Sequence, residues 1–236
     1  MEVAVNGIPV LSILQSLREF TLLERPYTSQ NSFYLELIFA LATETQQSAS
    51  TRFLAASLYL RTAEKLSTQA GTVALACLFI SSKYEEVQHL AAEDLLKYTE
   101  GRVHRNELLR AESEVMCALD YIVRSPTLYD WVSLLALWIS PYLAERPWQA
   151  LRTVAIQVAE LLYETGTLML AYTPWALTAA VLQAAVYILC KSVGVCGLTQ
   201  ALAELVGAET EEIAKAGEDV LAAALGVDFL EQFTLL

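Results

Sequence analysis

Two charged residues, Lys83 and Glu112, stand out by placement. Lys83 ends a charge-free run from Ser67 to Ser82, and Glu112 follows 29 residues later in Leu108-Leu-Arg-Ala-Glu112. A cation at the end of an apolar helix is favoured by the partial negative charge of the helix C-terminus. A Glu on an acidic helix can simply be solvated. The pair is therefore open to two readings, a cap with a surface charge, or a polar couple formed where two helices pack antiparallel. Neither reading is catalysis. The chain has no Gly-rich phosphate loop, no GxSxG and no His and Asp at useful spacing, its only histidines being His89 and His104. Of four cysteines, Cys77, Cys117 and Cys190 lie in apolar helical patterns and Cys196 in a Gly-rich turn, without a C-x-x-C pair. That pattern reads as reduced thiols and gives no metal site. The expectation is a protein-binding chain, not an enzyme, with no cofactor and no metal.

The elements that must position this pair follow from composition. The chain has 236 residues, 55% hydrophobic and 18% charged, which suits a folded core and one large domain or two of roughly 100–120 residues. Its net charge is −12, from 15 basic and 27 acidic residues, and no basic run appears. A phosphate backbone needs clustered Lys and Arg, so nucleic acid and anionic membranes are not expected partners. The segment Met1 to Val10 lacks the basic residues and apolar run of a signal peptide. Thr165 to Cys190 is charge-free and long enough to span a bilayer, but Gly166, Pro174 and Gln183 interrupt it.

Helix formers dominate, and Gly and Pro cut the chain into helix-sized pieces. A short amphipathic helix is expected over about Val10 to Leu23. Five more are expected near Asn31–Glu44, Ser50–Leu66, Gln69–Glu86, Ala91–Thr99 and Arg105–Leu119. After Ser125-Pro126, a second five are expected near Leu128–Ile139, Trp148–Thr165, Pro174–Lys191, Leu198–Val206 and Glu209–Leu225. The two sets correspond. Each has a charge-free, Ala-rich third helix, ending at Lys83 in one and Lys191 in the other. Glu112, Val115 and Leu119 parallel Glu218, Leu221 and Leu225. A helix apolar on every side must be surrounded by others. The reading is all-α: an N-terminal helix and linker over 1–30, a five-helix domain over 31–125 and a second over 126–236.

Within the first set, Ala76-Cys-Leu-Phe-Ile-Ser-Ser-Lys-Tyr-Glu-Glu86 followed by Leu108-Leu-Arg-Ala-Glu112 resembles the cyclin box of mitotic A/B-type cyclins. Leu119-Asp-Tyr121 with Ser125-Pro-Thr127 looks like the box exit, and Ser16-Leu-Arg-Glu-Phe20 resembles the family's N-terminal helix. The likeness covers about residues 10 to 135, and a weaker one, to the family's second box, runs from Pro174 to Leu225. It implies two tandem five-helix cyclin folds and a regulatory subunit paired one-to-one with a cyclin-dependent serine/threonine kinase. In cyclins the matching Lys and Glu hold main-chain groups of the kinase's mobile αC helix. The apolar groove around them would here be Ile80, Tyr84, Met116, Leu119, Tyr121 and Val123. Apolar bulk would supply burial and the two charges orientation. The expected location is nucleus or cytoplasm.

The sequence departs from the family at its R-x-L substrate-docking patch. Only Phe39 stands near the expected Trp, and Ala70-Gly71 occupies the place of a Leu-Gln pair. An N-terminal R-x-x-L destruction box is also absent, the only R-x-x-L being Arg105 to Leu108. Two other readings remain, a helical adaptor that binds no kinase and a double-cyclin-fold transcription factor of the TFIIB kind. The latter would carry basic helices and a zinc ribbon.

Overall fold

The computed structural model describes residues 4–5, 8–9, 32–139, 148–165, 168, 171–190 and 195–226. Apart from one short ribbon, in which β1 (Ala4–Val5) pairs antiparallel with β2 (Ile8–Pro9), every regular element described is helical. The helix expected over Val10 to Leu23 lies outside the described residues. The chain divides into two compact units, Phe20–Thr127 and Leu128–Leu236, the latter grouped with Met1–Glu19.

In the first unit the helices are α1 (Ser32–Glu44), α2 (Ala49–Thr62), α3 (Ala70–Glu85), α4 (Ala92–Leu96) and α5 (Arg105–Ala118), with a 3₁₀ turn Lys97–Thr99 after α4. Every residue of α3 from Thr72 to Ser82 is buried, and α1, α2, α4 and α5 all touch it. This is what a charge-free helix requires, since no face of it could meet water cheaply. Ala74 and Ala76 let neighbouring backbones approach, while Leu78 fills the centre with no exposed surface. Burying each such Leu stabilises the fold by about 1.5–3 kcal/mol.

The ends of these helices are tied by charge. Ser48 caps α2, its hydroxyl accepting the N–H of Thr51 at 3.4 Å. Glu86, just past α3, accepts the Ser48 N–H at 2.8 Å and the Thr51 hydroxyl at 2.5 Å. Burial alone would raise the pKa of Glu86, but the Thr51 and Ser48 hydrogen bonds outweigh it and hold the carboxyl below its ordinary value. The C-terminus of α3 is thus fastened to the N-terminus of α2. At α5, Glu107 in the first turn accepts the His104 N–H at 2.8 Å, as the helix-dipole argument favours.

The second unit holds α6 (Leu128–Ile139), α7 (Trp148–Thr165), α8 (Pro174–Cys190), α9 (Val195–Val206) and α10 (Thr210–Gly226). Here α8 is the helix that touches the other four. Trp131 and Trp175 meet edge to face at 4.1 Å, and the Tyr172 hydroxyl donates to Asp219. That bond pushes the Tyr172 pKa up to about 12. No helix among the described residues is long and apolar enough to cross a membrane. Residues 172–173, just before α8, are not helical. One expectation needs correction: Cys196 lies in the first turn of α9, not in a turn between helices. Gly197 follows it in the same first turn of the helix. Lys191 lies outside the described residues.

Candidate partner-binding site

Lys83 stands in the last turn of α3, and its ammonium donates to Glu112 Oε1 on α5. The sequence argument asked for antiparallel helices to bring them together. The contacts show a different geometry. Glu112 reaches the C-terminal end of α3, while Glu114 takes the hydroxyl of Thr68, just before its N-terminus. At a rise of about 1.5 Å per residue those ends lie roughly 24 Å apart. Two residues so close on α5 meet both ends only if α5 lies across α3. Leu108, Ala111 and Val115, at three-to-four spacing, form the buried face that rests on it.

The pair is half-exposed, with 34% of the Lys83 side chain and 21% of Glu112 accessible. The Lys83 ammonium also sits 4.1 Å from the ring centroid of Phe79. An ion pair at this exposure contributes only about 0–1 kcal/mol to folding. Stability does not account for it, and it remains open to a partner from the solvent side.

Around it the proposed groove residues divide. Tyr84 and Tyr121 are exposed, at 55% and 69%, and Met116 is partly so. Ile80, Leu119 and Val123 are instead buried. These three are corrected from contact residues to floor: they pack beneath the surface and support it. Two exposed apolar residues were missed, Val87 and Ile122. The signal available was an apolar residue in a non-helical stretch, Ile122 in Leu119-Asp-Tyr-Ile-Val-Arg124 and Val87 just past the end of α3.

That exit stretch is unusually shaped. Asp120 and Tyr121 both have positive φ, 50° and 61°, a conformation rarely adopted by a bulky residue. It is secured from several sides. Arg124 donates to Glu85 on α3 at 2.9 Å, and Arg61 on α2 donates to the carbonyls of Ile122 and Val123 at 2.8 and 3.3 Å.

The docking-patch residues do not assemble. Phe39 is buried, stacked edge to face on Phe53 at 5.5 Å, so it is core and offers no surface. Ala70 and Gly71 open α3, and a Cβ on Gly71 would meet Tyr34 at 3.6 Å. The exposed aromatic nearby is Phe33, which packs on Tyr34. At the N-terminal end of α3 lies a cavity of about 390 Å³, where Arg102 and Arg110 face Glu107 and Glu114. Its charges balance internally. Among the described residues no cluster of His, Cys, Asp and Glu could hold a metal ion. In the second unit, Glu218 is exposed on α10.

Residues 18–124 match the family model for the cyclin N-terminal domain. No curated protein matches the chain in sequence. Among solved structures it is similar to a viral cyclin from herpesvirus saimiri, with a TM-score of 0.74 and 17% identity, covering 94% of this chain and 99% of that one. It is also similar to a chain in the structure of the CAK complex from Chaetomium thermophilum bound to ATP-gamma-S. There the TM-score is 0.56 and the identity 17%, covering 94% of this chain and 75% of that one. The structural likeness establishes the cyclin fold, and the match shows that residues 18–124, which hold both Lys83 and Glu112, form a cyclin N-terminal domain.

Proposed function

We propose that the chain is a regulatory subunit that binds and activates a cyclin-dependent serine/threonine kinase, one-to-one, by holding the kinase's αC helix. The observation that carries this is the part-exposed Lys83–Glu112 ion pair, with exposed Tyr84 next to Lys83 in the chain, Met116 four residues after Glu112 on α5, and Tyr121 exposed in the stretch that follows α5. An ammonium offers donors and a carboxylate acceptors, so together they can take the carbonyls and N–H groups of a helix end. Exposed aromatic rings beside them supply the area that a stable interface needs. Fixing αC inward would complete the kinase's own Lys–Glu pair and metal site, turning binding energy into catalytic competence in the partner. Such a chain would need no cofactor or metal of its own, perform no catalysis, and bind neither nucleic acid nor membrane. It would act in the nucleus or cytoplasm, where its kinase is. One similar structure comes from a complex bound to an ATP analogue, which fits a partner with nucleotide chemistry.

The test is reconstitution. The purified chain is mixed with monomeric cyclin-dependent kinases, and complex formation and phosphorylation of a generic substrate are measured. A one-to-one complex with activity well above the kinase alone supports the reading. Stable complexes without activation would overturn the activating role while leaving kinase binding, and no complex with any kinase would overturn the reading and favour the adaptor.

A further inference from the structure

Three residues spaced by four, Ser57 and Arg61 on α2 and Lys65 in the turn after it, all reach the end of α5 and the stretch beyond. The Lys65 ammonium donates to the carbonyl of Ala118, the last residue of α5, at 3.1 Å. Arg61 spans the carbonyls of Ile122 and Val123 and also the Ser125 hydroxyl, the last at 3.3 Å. Ser57, itself buried, meets the same Ser125 hydroxyl at 3.3 Å. A spacing of four puts side chains on one face of a helix, so these contacts form a single row. The row grips the two residues with positive φ from both sides. Lys65 holds the backbone just before Asp120, and Arg61 the backbone just after Tyr121.

What this grip does is visible in the side chains. In the stretch 119–123, Leu119 and Val123 point into the core while Tyr121 and Ile122 stand out in solvent at 69% and 62%. An exposed Ile beside an exposed Tyr is not a conformation that the hydrophobic effect would choose unaided. A bulky residue at positive φ persists only where its surroundings over-determine it. The guanidinium is the group suited to the task, because its planar fork can serve two carbonyls at once and a Lys ammonium cannot do so with the same geometry.

We infer that Arg61 is a positioning residue, holding the 120–123 backbone in the conformation that presents Tyr121 and Ile122 to the partner of the Lys83–Glu112 pair. Arg61 itself need not touch that partner. Tyr121 and Ile122 then form the second half of the contact. This rests on the kinase-binding reading, but the conformational part is independent of it.

The test uses Arg61→Met, which keeps most of the apolar stem and removes the donors, in the full chain. Hydrogen exchange reads the conformation. The Tyr121 N–H is bonded to the Met116 carbonyl and the Ile122 N–H to that of Leu119, both at 2.9 Å. The expected result is faster exchange at those amides with α3 still protected, and unchanged exchange overturns the inference. Affinity for the kinase that the wild-type chain activates reads the function. Arg61→Met is expected to weaken binding on the order of tenfold, as loss of a charge-assisted pair of hydrogen bonds would. In a Tyr121→Ala/Ile122→Ala background it should cost nothing further, whereas a loss that adds in full overturns positioning. Arg61→Lys is expected to restore little. If Arg61→Met fails to fold, Ser125→Ala, which removes one end of the grip, is read in the same two ways. Binding that tolerates Lys83→Ala and Glu112→Ala but responds to Arg61→Met would sink the Lys83–Glu112 reading alone. The reverse pattern would sink the positioning alone, and if no kinase binds at all, the exchange result still decides whether Arg61 holds the segment.

Discussion

Lys83 and Glu112 each contribute little to folding, because a pair this exposed is screened by water, yet each would be desolvated at the centre of an interface. Central interface residues cost about 2–4 kcal/mol when truncated. Lys83→Ala and Glu112→Ala are therefore each expected to weaken kinase binding roughly 30- to 1000-fold. Their thermal midpoints should stay close to wild type. Calorimetry and a binding titration on the same preparations check both halves, and a large fall in midpoint with unchanged affinity would return the pair to a structural role. Glu218 on α10 serves as the control, since its truncation should leave binding untouched. Cys77 makes the opposite case for a residue. It is wholly buried, and burial pushes its thiol pKa up to about 12. A thiol that is neither ionised nor reachable does not react. Alkylation near pH 8 should label the exposed Cys117 and spare Cys77 until the chain is denatured, as peptide mapping would show.

At the scale of elements, the second unit contains a close approach with a definite sign. Gly217 on α10 lies against Gln183 on α8, and a Cβ there would fall 2.6 Å from Gln183 Oε1. The Gln183 oxygen is buried without a hydrogen bond, so that oxygen loses none by moving aside. A Gly to Ala change inside a helix gains about 0.5–1 kcal/mol from chain entropy. Overpacking costs about 1–3 kcal/mol. Gly217→Ala alone is thus expected to destabilise by about 1 kcal/mol, the overpacking term being the larger. In a Gln183→Ala background the same change should stabilise by about 0.5–1 kcal/mol. Urea denaturation of the four chains measures the cycle, and additivity would show that the two helices do not meet there as described.

For the whole molecule, a net charge of −12 with no run of basic residues in the sequence weighs against a phosphate backbone as a partner, because counterion release needs clustered Lys and Arg. No binding to duplex DNA is expected at about 150 mM salt, and a gel shift with low-micromolar affinity would revive the transcription-factor reading, since that is near the tight edge of non-specific binding. The fold itself concentrates burial in two charge-free helices, α3 and α8, each touched by four neighbours in its own unit. The accessible candidate residues Lys83, Tyr84, Glu112, Met116, Tyr121 and Ile122 lie off those helices' buried length, at the end of α3, on α5 or in the stretch after it, and Arg61 holds that stretch from α2.

The sequence alone determined the helices, because Gly, Pro and charge-free runs are local signals. The limits of α6 and α7 agree with the expected ones to the residue, and those of the others lie within a few positions. It singled out Lys83 as a candidate, since a single cation ending an apolar run is conspicuous in one dimension, and the resemblance to the cyclin box named Glu112 as its partner, which the structure brings against it. Exposure was decided only by the tertiary structure. Ile80, Tyr84, Leu119, Tyr121 and Val123 are alike in a sequence as apolar residues near a charged pair. Which of them faces water depends on α5 lying across α3, and on two residues adopting positive φ that no propensity would select. Arg61 was invisible for the same reason. Its partners are backbone carbonyls 61 and 62 residues away, and a carbonyl has no letter in the sequence.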